Sequence, residues 1–199
     1  MTDRRLTLPA IRLALATHRP QVLVTDRPHA AVAMLLAAAQ PVPEVLFILR
    51  AHHERDPWSG DIGFPGGRVA ATDADPRQTA ERETHEELAL DLAATDCLGR
   101  LDDLYGATLP ILVSCFVYAA AKRPDLCANH EIADSFWIPL DRLLDPSCHH
   151  IAHFTYRGAM TSQPVANLLG PGAPLLWGIT YRLLRNFFGI LKLPFGPSL

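Results

Sequence analysis

Two neighbouring stretches constrain this chain more than any others. HHERDPWSGDIGFPGG (His52–Gly67) is too rich in Gly and Pro for regular structure, and ERETHEEL (Glu81–Leu88) carries four glutamates in eight residues. Like charges three or four residues apart on a helix cost roughly 0.2–0.5 kcal/mol per pair. The second stretch nevertheless reads as helix. Asp75 suits the N-cap, Pro76 the first helical position and Gln78 a capping-box pattern, so a helix is expected from there through Leu88 or Leu90. At about 100° per residue, Glu83, Glu86 and Glu87 fall within an arc of about 100°. Arg82 lies one turn before Glu86, within pairing reach. Glu81 points to nearly the opposite side and reads as a solvated residue.

Three carboxylates on one helix face admit two readings. One is an acidic face turned to water. The other is a site for a hard divalent cation, Mg²⁺ or Mn²⁺, which takes oxygen ligands and is shared with substrate phosphates. The upstream loop favours the second. Gly66 and Gly67 let the backbone come close to a ligand or adopt positive φ, and a carbonyl oxygen there would complete an oxygen shell. Loops of this length inside compact domains are usually functional.

The rest of the chain supplies a frame for that site. Leu8–Thr17 reads as a short helix with Pro9 in its first turn. AAVAMLL (from Ala30) and Val45–Arg50 read as strands, and Pro110–Ala120 as a central strand apolar on both faces. Asp134–Leu144 reads as strand, turn and short helix, and HHIAHFTY as a strand. Pro174–Leu191 is expected to be a helix packing Trp177, Tyr181, Leu184 and Phe188 into the core. This is an α/β (α+β) arrangement, a mixed sheet sandwiched between helices.

Length and composition, 199 residues with 49% hydrophobic and 20% charged, suit one domain spanning 1–199. A net charge of −3 offers no field to draw nucleic acid or an anionic membrane. No run approaches the roughly 20 apolar residues of a membrane span. The first twenty residues lack a signal-peptide core, so a cytoplasmic location is expected. Cys97, Cys115, Cys127 and Cys148 are scattered without a CxxC, which points to reduced thiols. Cys148, His149, His150 and His153 cluster, and read as surface loop residues rather than a metal site. The apolar Phe187–Phe195 would pack on its own core or against a second copy in a homodimer.

The segment Gly67–Leu90 resembles the Nudix box, G-x5-E-x7-R-E-U-x-E-E-x-G-U with U a bulky apolar residue. RETHEELAL (Arg82–Leu90) carries its Arg and all three Glu. Four departures stand out: Asp73 takes the place of the first glutamate, one extra residue precedes Arg82, Thr84 stands for the bulky apolar residue, and Ala89 replaces the closing glycine. With Ala there, a turn needing positive φ is not expected at Ala89. The extra residue and the lost glycine are similar to the coenzyme A diphosphatase branch. So is the upstream stretch Ile48–Gly67, in which Arg50, Arg55, Gly60 and FPGG follow that branch's second motif in order. There Ala51 replaces a serine, and four residues rather than three separate Arg55 from Gly60.

The resemblance implies a Nudix-like α/β/α sandwich with a loop–helix–loop catalytic motif. It implies Mg²⁺- or Mn²⁺-dependent cleavage of a nucleotide-type diphosphate: coenzyme A, acyl-CoA, or another nucleoside diphosphate derivative such as ADP-ribose. A non-catalytic nucleotide-binding domain is the alternative of a different class. By matching positions Glu83, Glu87, Glu86 and the Gly66 carbonyl are implied metal ligands. Glu86 and Glu87 serve catalysis, and Arg82 orients a glutamate. Arg50, Arg55 and Arg68 are candidate phosphate contacts. Trp58 is expected to pack, and His130 and Glu131 are candidates for a remote base.

Overall fold

The fold follows from how the apolar strands share their two faces. A computed structural model describes residues 3–53, 58–107, 109–156 and 158–197. Helix α1 (Leu8–Thr17) leads to strands β1 (His29–Ala37), β2 (Glu44–Arg50), β3 (Ile62–Gly63) and β4 (Gly66–Arg68). Helix α2 (Pro76–Leu88) is followed by β5 (Asp96–Arg100), β6 (Leu104–Tyr105), β7 (Leu112–Ala120) and β8 (Ile132–Pro139). A hairpin of β9 (His149–Tyr156) and β10 (Ala159–Ala166) precedes helix α3 (Gly178–Ile190). Among the described residues, eight strands form one mixed sheet in which β1 and β7 are parallel neighbours and the remaining pairs are antiparallel. Among the described residues no helix is long and apolar enough to cross a membrane.

Alternation along each strand splits the core in two. Ala31, Ala33 and Leu35 of β1, Leu46 and Ile48 of β2, and Phe116 and Tyr118 of β7 join Ala80 and Leu88 of α2 in one buried cluster. The intervening residues, such as Met34, Phe47 and Val117, join Ile11 and Leu15 of α1 and Tyr181, Leu184, Phe187 and Phe188 of α3 in the other. The sheet is thus covered on both faces, which is why β1 and β7 are near-continuously apolar. The expected sandwich is observed.

Helix α2 starts as its sequence dictates. Asp75 accepts the Gln78 amide at 2.9 Å and Pro76 occupies the first helical position. Ala80, Thr84 and Leu88 form its inner edge. Thr84 is fully buried, and its hydroxyl donates to the Ala80 carbonyl oxygen at 2.7 Å, so it occupies an apolar position without an unsatisfied polar atom. The helix stops at Leu88 because Ala89 adopts φ 53°, ψ 30° and its N–H donates to the His85 carbonyl oxygen. The left-handed turn is therefore present despite the absence of glycine, contrary to expectation.

Other expectations are refined. Part of the long loop is drawn into the sheet as β3 and β4, and β5, β6 and β10 were not signalled. Trp177 caps α3 rather than lying within it. Glu81 is not simply solvated: it accepts the Tyr118 hydroxyl and the Arg77 guanidinium, both at 2.9 Å. Nor do Cys148 and His149 lie on a surface loop. Cys148 is buried, and the His149 ring lies 3.0 Å from the Tyr181 hydroxyl and 2.8 Å from the Leu143 carbonyl oxygen. Phe195 stacks on Phe188 at 5.2 Å and also meets Tyr181 and His149, each at 4.9 Å.

The strained cap gives a test. Glycine removes the Cβ clash in the left-handed region, a difference of about 1 kcal/mol per residue. Ala89→Gly is expected to raise the melting temperature by about 2–4 °C, measured by differential scanning calorimetry. A lower melting temperature would mean that the cap is not strained.

Candidate active site

The site forms where β1 changes partner. Leu36 and Ala37 pair with β2, whereas Ala30–Val32 pair with β4, and the Ala33 N–H between them donates to the Pro65 carbonyl oxygen at 2.9 Å. The segment carrying β3 and β4 therefore wedges between β1 and β2. Two glycines make this possible for different reasons. Gly66 has φ +147°, and a Cβ there would lie 2.6 Å from Cα of Val32. A Cβ on Gly67 would land on the Glu83 carboxylate. Backbone without side chains thus separates the α2 carboxylates from the opposite face of the sheet.

Each carboxylate meets a different environment. Glu87 is almost completely buried, accepting the Gly66 N–H at 2.9 Å and Arg50 Nη1 at 3.3 Å. Burial pushes its carboxyl up to about 7, although the Gly66 amide and Arg50 pull the other way. Glu83 is raised from the ordinary range by the same cause. Arg82 grips Asp73 with two hydrogen bonds of 3.0 Å, and its Nη1 lies 2.9 Å from Glu83 and 3.2 Å from Glu86. Asp73 also accepts the Ala70 N–H and the Thr79 hydroxyl. The Arg82 guanidinium, helped by the Ala70 amide, holds the Asp73 carboxyl well below the usual range. Asp73 thus anchors Arg82, and Arg82 anchors Glu83 and Glu86.

Glu83, Glu86 and Glu87 share a helix face, but among the described residues no group of three acidic or His/Cys side chains is gathered on one point. Arg82 Nη1 bridges Glu83 and Glu86, whereas Glu87 is turned to the Gly66 amide and Arg50. The donor set still fits a hard divalent cation: several carboxylate oxygens, two of them disfavoured as anions by burial, beside a glycine cradle that a Cβ would fill.

Arg50 reaches Glu87 because its place in the alternation of β2 is that of Leu46 and Ile48, on the α2 side. The β2/β8 register slips between Leu49 and Arg50, and such irregularities re-aim side chains. Arg50 Nη2 lies 4.0 Å from Glu131. A cavity of about 350 Å³ opens at this point, with Glu83, Glu87, Glu131, Val113 and Ile179 among its lining residues. Its size suits a small-molecule ligand. Arg50, Arg68 and Gly66 line it, as does Trp58. Arg55 lies outside the described residues. His130 is exposed and is not among the lining residues.

Two features of the wall were not foreseen. Trp177 donates from Nε1 to Asp61 at 3.0 Å and is flanked edge-on by Phe154 and Tyr156; its helical spacing had disguised it as core. Arg182 of α3 also lines the cavity. Nothing in its spacing signalled this, because a position five residues after Trp177 falls on a different helix face.

The sequence pattern of the NUDIX domain matches residues 26–157. A Schizosaccharomyces pombe protein is 37% identical over 115 residues, which are 54% of this chain and 35% of that protein. The human mitochondrial coenzyme A diphosphatase NUDT8 is 31% identical over 156 residues, 76% of this chain and 64% of its own length. The chain thus spans less than two thirds of either relative. A MutT/nudix family protein from Enterococcus faecalis, solved by crystallography, shares the fold with a TM-score of 0.53 at 16% identity, over 96% of this chain and 69% of that one.

As a metal ligand, Glu87 would link cation binding to pH. Its folded carboxyl titrates near 7, above the unfolded value, so in the metal-free protein its contribution to stability is full below about pH 4.5 and lost as pH rises through about 7. A cation needs the ionised form and displaces the proton. The stabilisation given by saturating Mg²⁺, read as a melting shift, is expected to grow between about pH 5.5 and 7.5 and then level off. Glu87→Gln should flatten that dependence. A shift independent of pH would remove Glu87 from the metal site.

Proposed function

The chain belongs to the Nudix family, and from that premise we propose that it hydrolyses the diphosphate bond of coenzyme A or an acyl-CoA. The products are the phosphopantetheine half and adenosine 3′,5′-bisphosphate. The observation that carries a hydrolytic reading is the buried Glu87 carboxylate, held by the Gly66 amide and Arg50 beside Glu83 in the cavity wall. The substrate is supported by the coenzyme A diphosphatase to which the chain is similar over 76% of its length and by Arg50 in the upstream motif.

In this reading Glu83, Glu87 and Glu86, with the Gly66 carbonyl, would hold Mg²⁺ or Mn²⁺. When bound, such ions neutralise phosphate charge, activate water and align it with the leaving group. The protein's own residues do the rest. Arg82, clamped on Asp73, is a positioning residue that fixes Glu83 and Glu86. Arg50 can exchange Glu87 for a phosphate oxygen, its planar fork matching either group. Arg68, at the exposed rim, offers a second cation. Water attacks one phosphorus and the anhydride P–O bond breaks. Glu86, 54% exposed and not among the residues that line the cavity, takes the released proton through an intervening water and passes it to solvent.

Incubation with coenzyme A, acetyl-CoA, ADP-ribose and a dinucleoside polyphosphate in Mg²⁺ or Mn²⁺ tests the reading. Coenzyme A or its thioester is expected to be cut fastest, with adenosine 3′,5′-bisphosphate as product by chromatography. Cleavage of ADP-ribose with coenzyme A left intact would overturn the substrate assignment and leave the hydrolase. Glu87→Gln should lower turnover by about 100-fold or more, as loss of other catalytic electrostatic groups does, while its circular dichroism matches wild type.

A further inference from the structure

The cavity lining mixes both charges: Glu83, Glu87 and Glu131 stand with Arg50 and Arg68, and Asp61 accepts from Trp177 just ahead of α3. Helix α3 itself, whose thirteen residues include Arg182 and Arg185 and no carboxylate, adds Arg182 to that lining. Arg182 lines the cavity and is half-buried. Its hydrogen bond among the described residues runs from Nη1 to the Tyr105 carbonyl oxygen at 2.5 Å. It forms no ion pair with any described residue. Burial and the neighbouring Arg185 both oppose its charge, so its proton is held less tightly than usual. Arg185 lies 5.6 Å from the centre of the Tyr181 ring, with its Nε and Nη2 buried and without a hydrogen-bond partner among the described residues, and it does not line the cavity.

A half-buried guanidinium with one neutral acceptor keeps N–H donors to offer an anion that enters the cavity. Its five N–H donors form a planar fork matched to phosphate or carboxylate. Its distance from the diphosphate end can be read from the sheet. Tyr105 lies in β6, which pairs with β7, which pairs with β1, which pairs with β4 beside Gly66 and Gly67. Three strand spacings are roughly 14 Å. Even allowing for the reach of the side chains, a single diphosphate does not fill both ends of such a groove.

We propose that Arg182 receives a second anionic group of the substrate, a phosphomonoester separate from the diphosphate that is cut. The proposal rests on the diphosphatase reading for its substrate, which carries such a group on the ribose. Arg182 thereby becomes a specificity-determining residue on a helix beyond the stretch that matches the NUDIX pattern, residues 26–157. The same cleft would otherwise accept diphosphates with and without the extra phosphate alike.

Calorimetric titration of the full chain in Mg²⁺ with adenosine 3′,5′-bisphosphate and with AMP tests this. Wild type should bind the bisphosphate at least about tenfold more tightly, the size expected of one charge-assisted contact. In Arg182→Gln the two affinities should converge to within about twofold, and Arg182→Lys should restore part of the gap. A merely structural arginine would weaken both ligands equally, and that result overturns the proposal. So does a wild type that fails to discriminate, which can be read even if the Gln variant does not fold. Cleavage of coenzyme A is scored separately: turnover with a gap insensitive to Arg182 removes the contact and leaves the reading. Absence of turnover with a gap that depends on Arg182 does the opposite.

Discussion

The site depends on a contact between bare backbone and a buried charge. Glu87 is carried by a helix on one side of the sheet, and its carboxylate meets the Gly66 amide at 2.9 Å. That approach requires two residues without Cβ, since Gly66 is pressed against Val32 and Gly67 against Glu83. It also requires β1 to give up β2 for β4 partway along its length. The cavity beside Val113 and Ile179 and the acidic helix behind the sheet become one site through this gap. Burial then makes Glu87 a reluctant anion, so the arrangement favours positive partners: Arg50 in the protein alone, and a divalent ion in the proposed reaction.

Much of this was legible in the sequence because the signals were local. The Asp75 cap, the spacing of the glutamates and the apolar runs of β1, β2 and β7 each specify their own element. Ala89 misled because the left-handed turn is set by the cap hydrogen bond to His85, which overrides a modest cost for alanine. Strands β3 and β4 were hidden because two or three residues carry no period. Their register comes from β1 and β2. Glu81 looked solvated on a helical wheel, which takes no account of Tyr118 from a strand more than thirty residues away. Trp177 and Arg182 were missed for the same reason, since helical spacing separates core from surface but does not show that α3 borders a cavity.

The charges form a relay that begins away from the cavity. Asp73, fixed by Ala70 and Thr79, holds Arg82, and Arg82 holds Glu83 and Glu86. Asp73 is shorter than the glutamate of the motif it resembles, and it holds Arg82 by two hydrogen bonds. A shorter acid in a longer connecting segment keeps the guanidinium in reach.

The aromatic packing of α3 has a mechanical corollary. Phe195 is wedged against Phe188, Tyr181 and His149, and so braces the helix whose opening turns border the cavity. Clipping the polypeptide after Leu193, or prying that ring out, would slacken the binding wall while sparing every acidic group across from it. Such a nicked protein would keep Glu83, Glu86 and Glu87 in place and lose the wall that α3 contributes to the cavity.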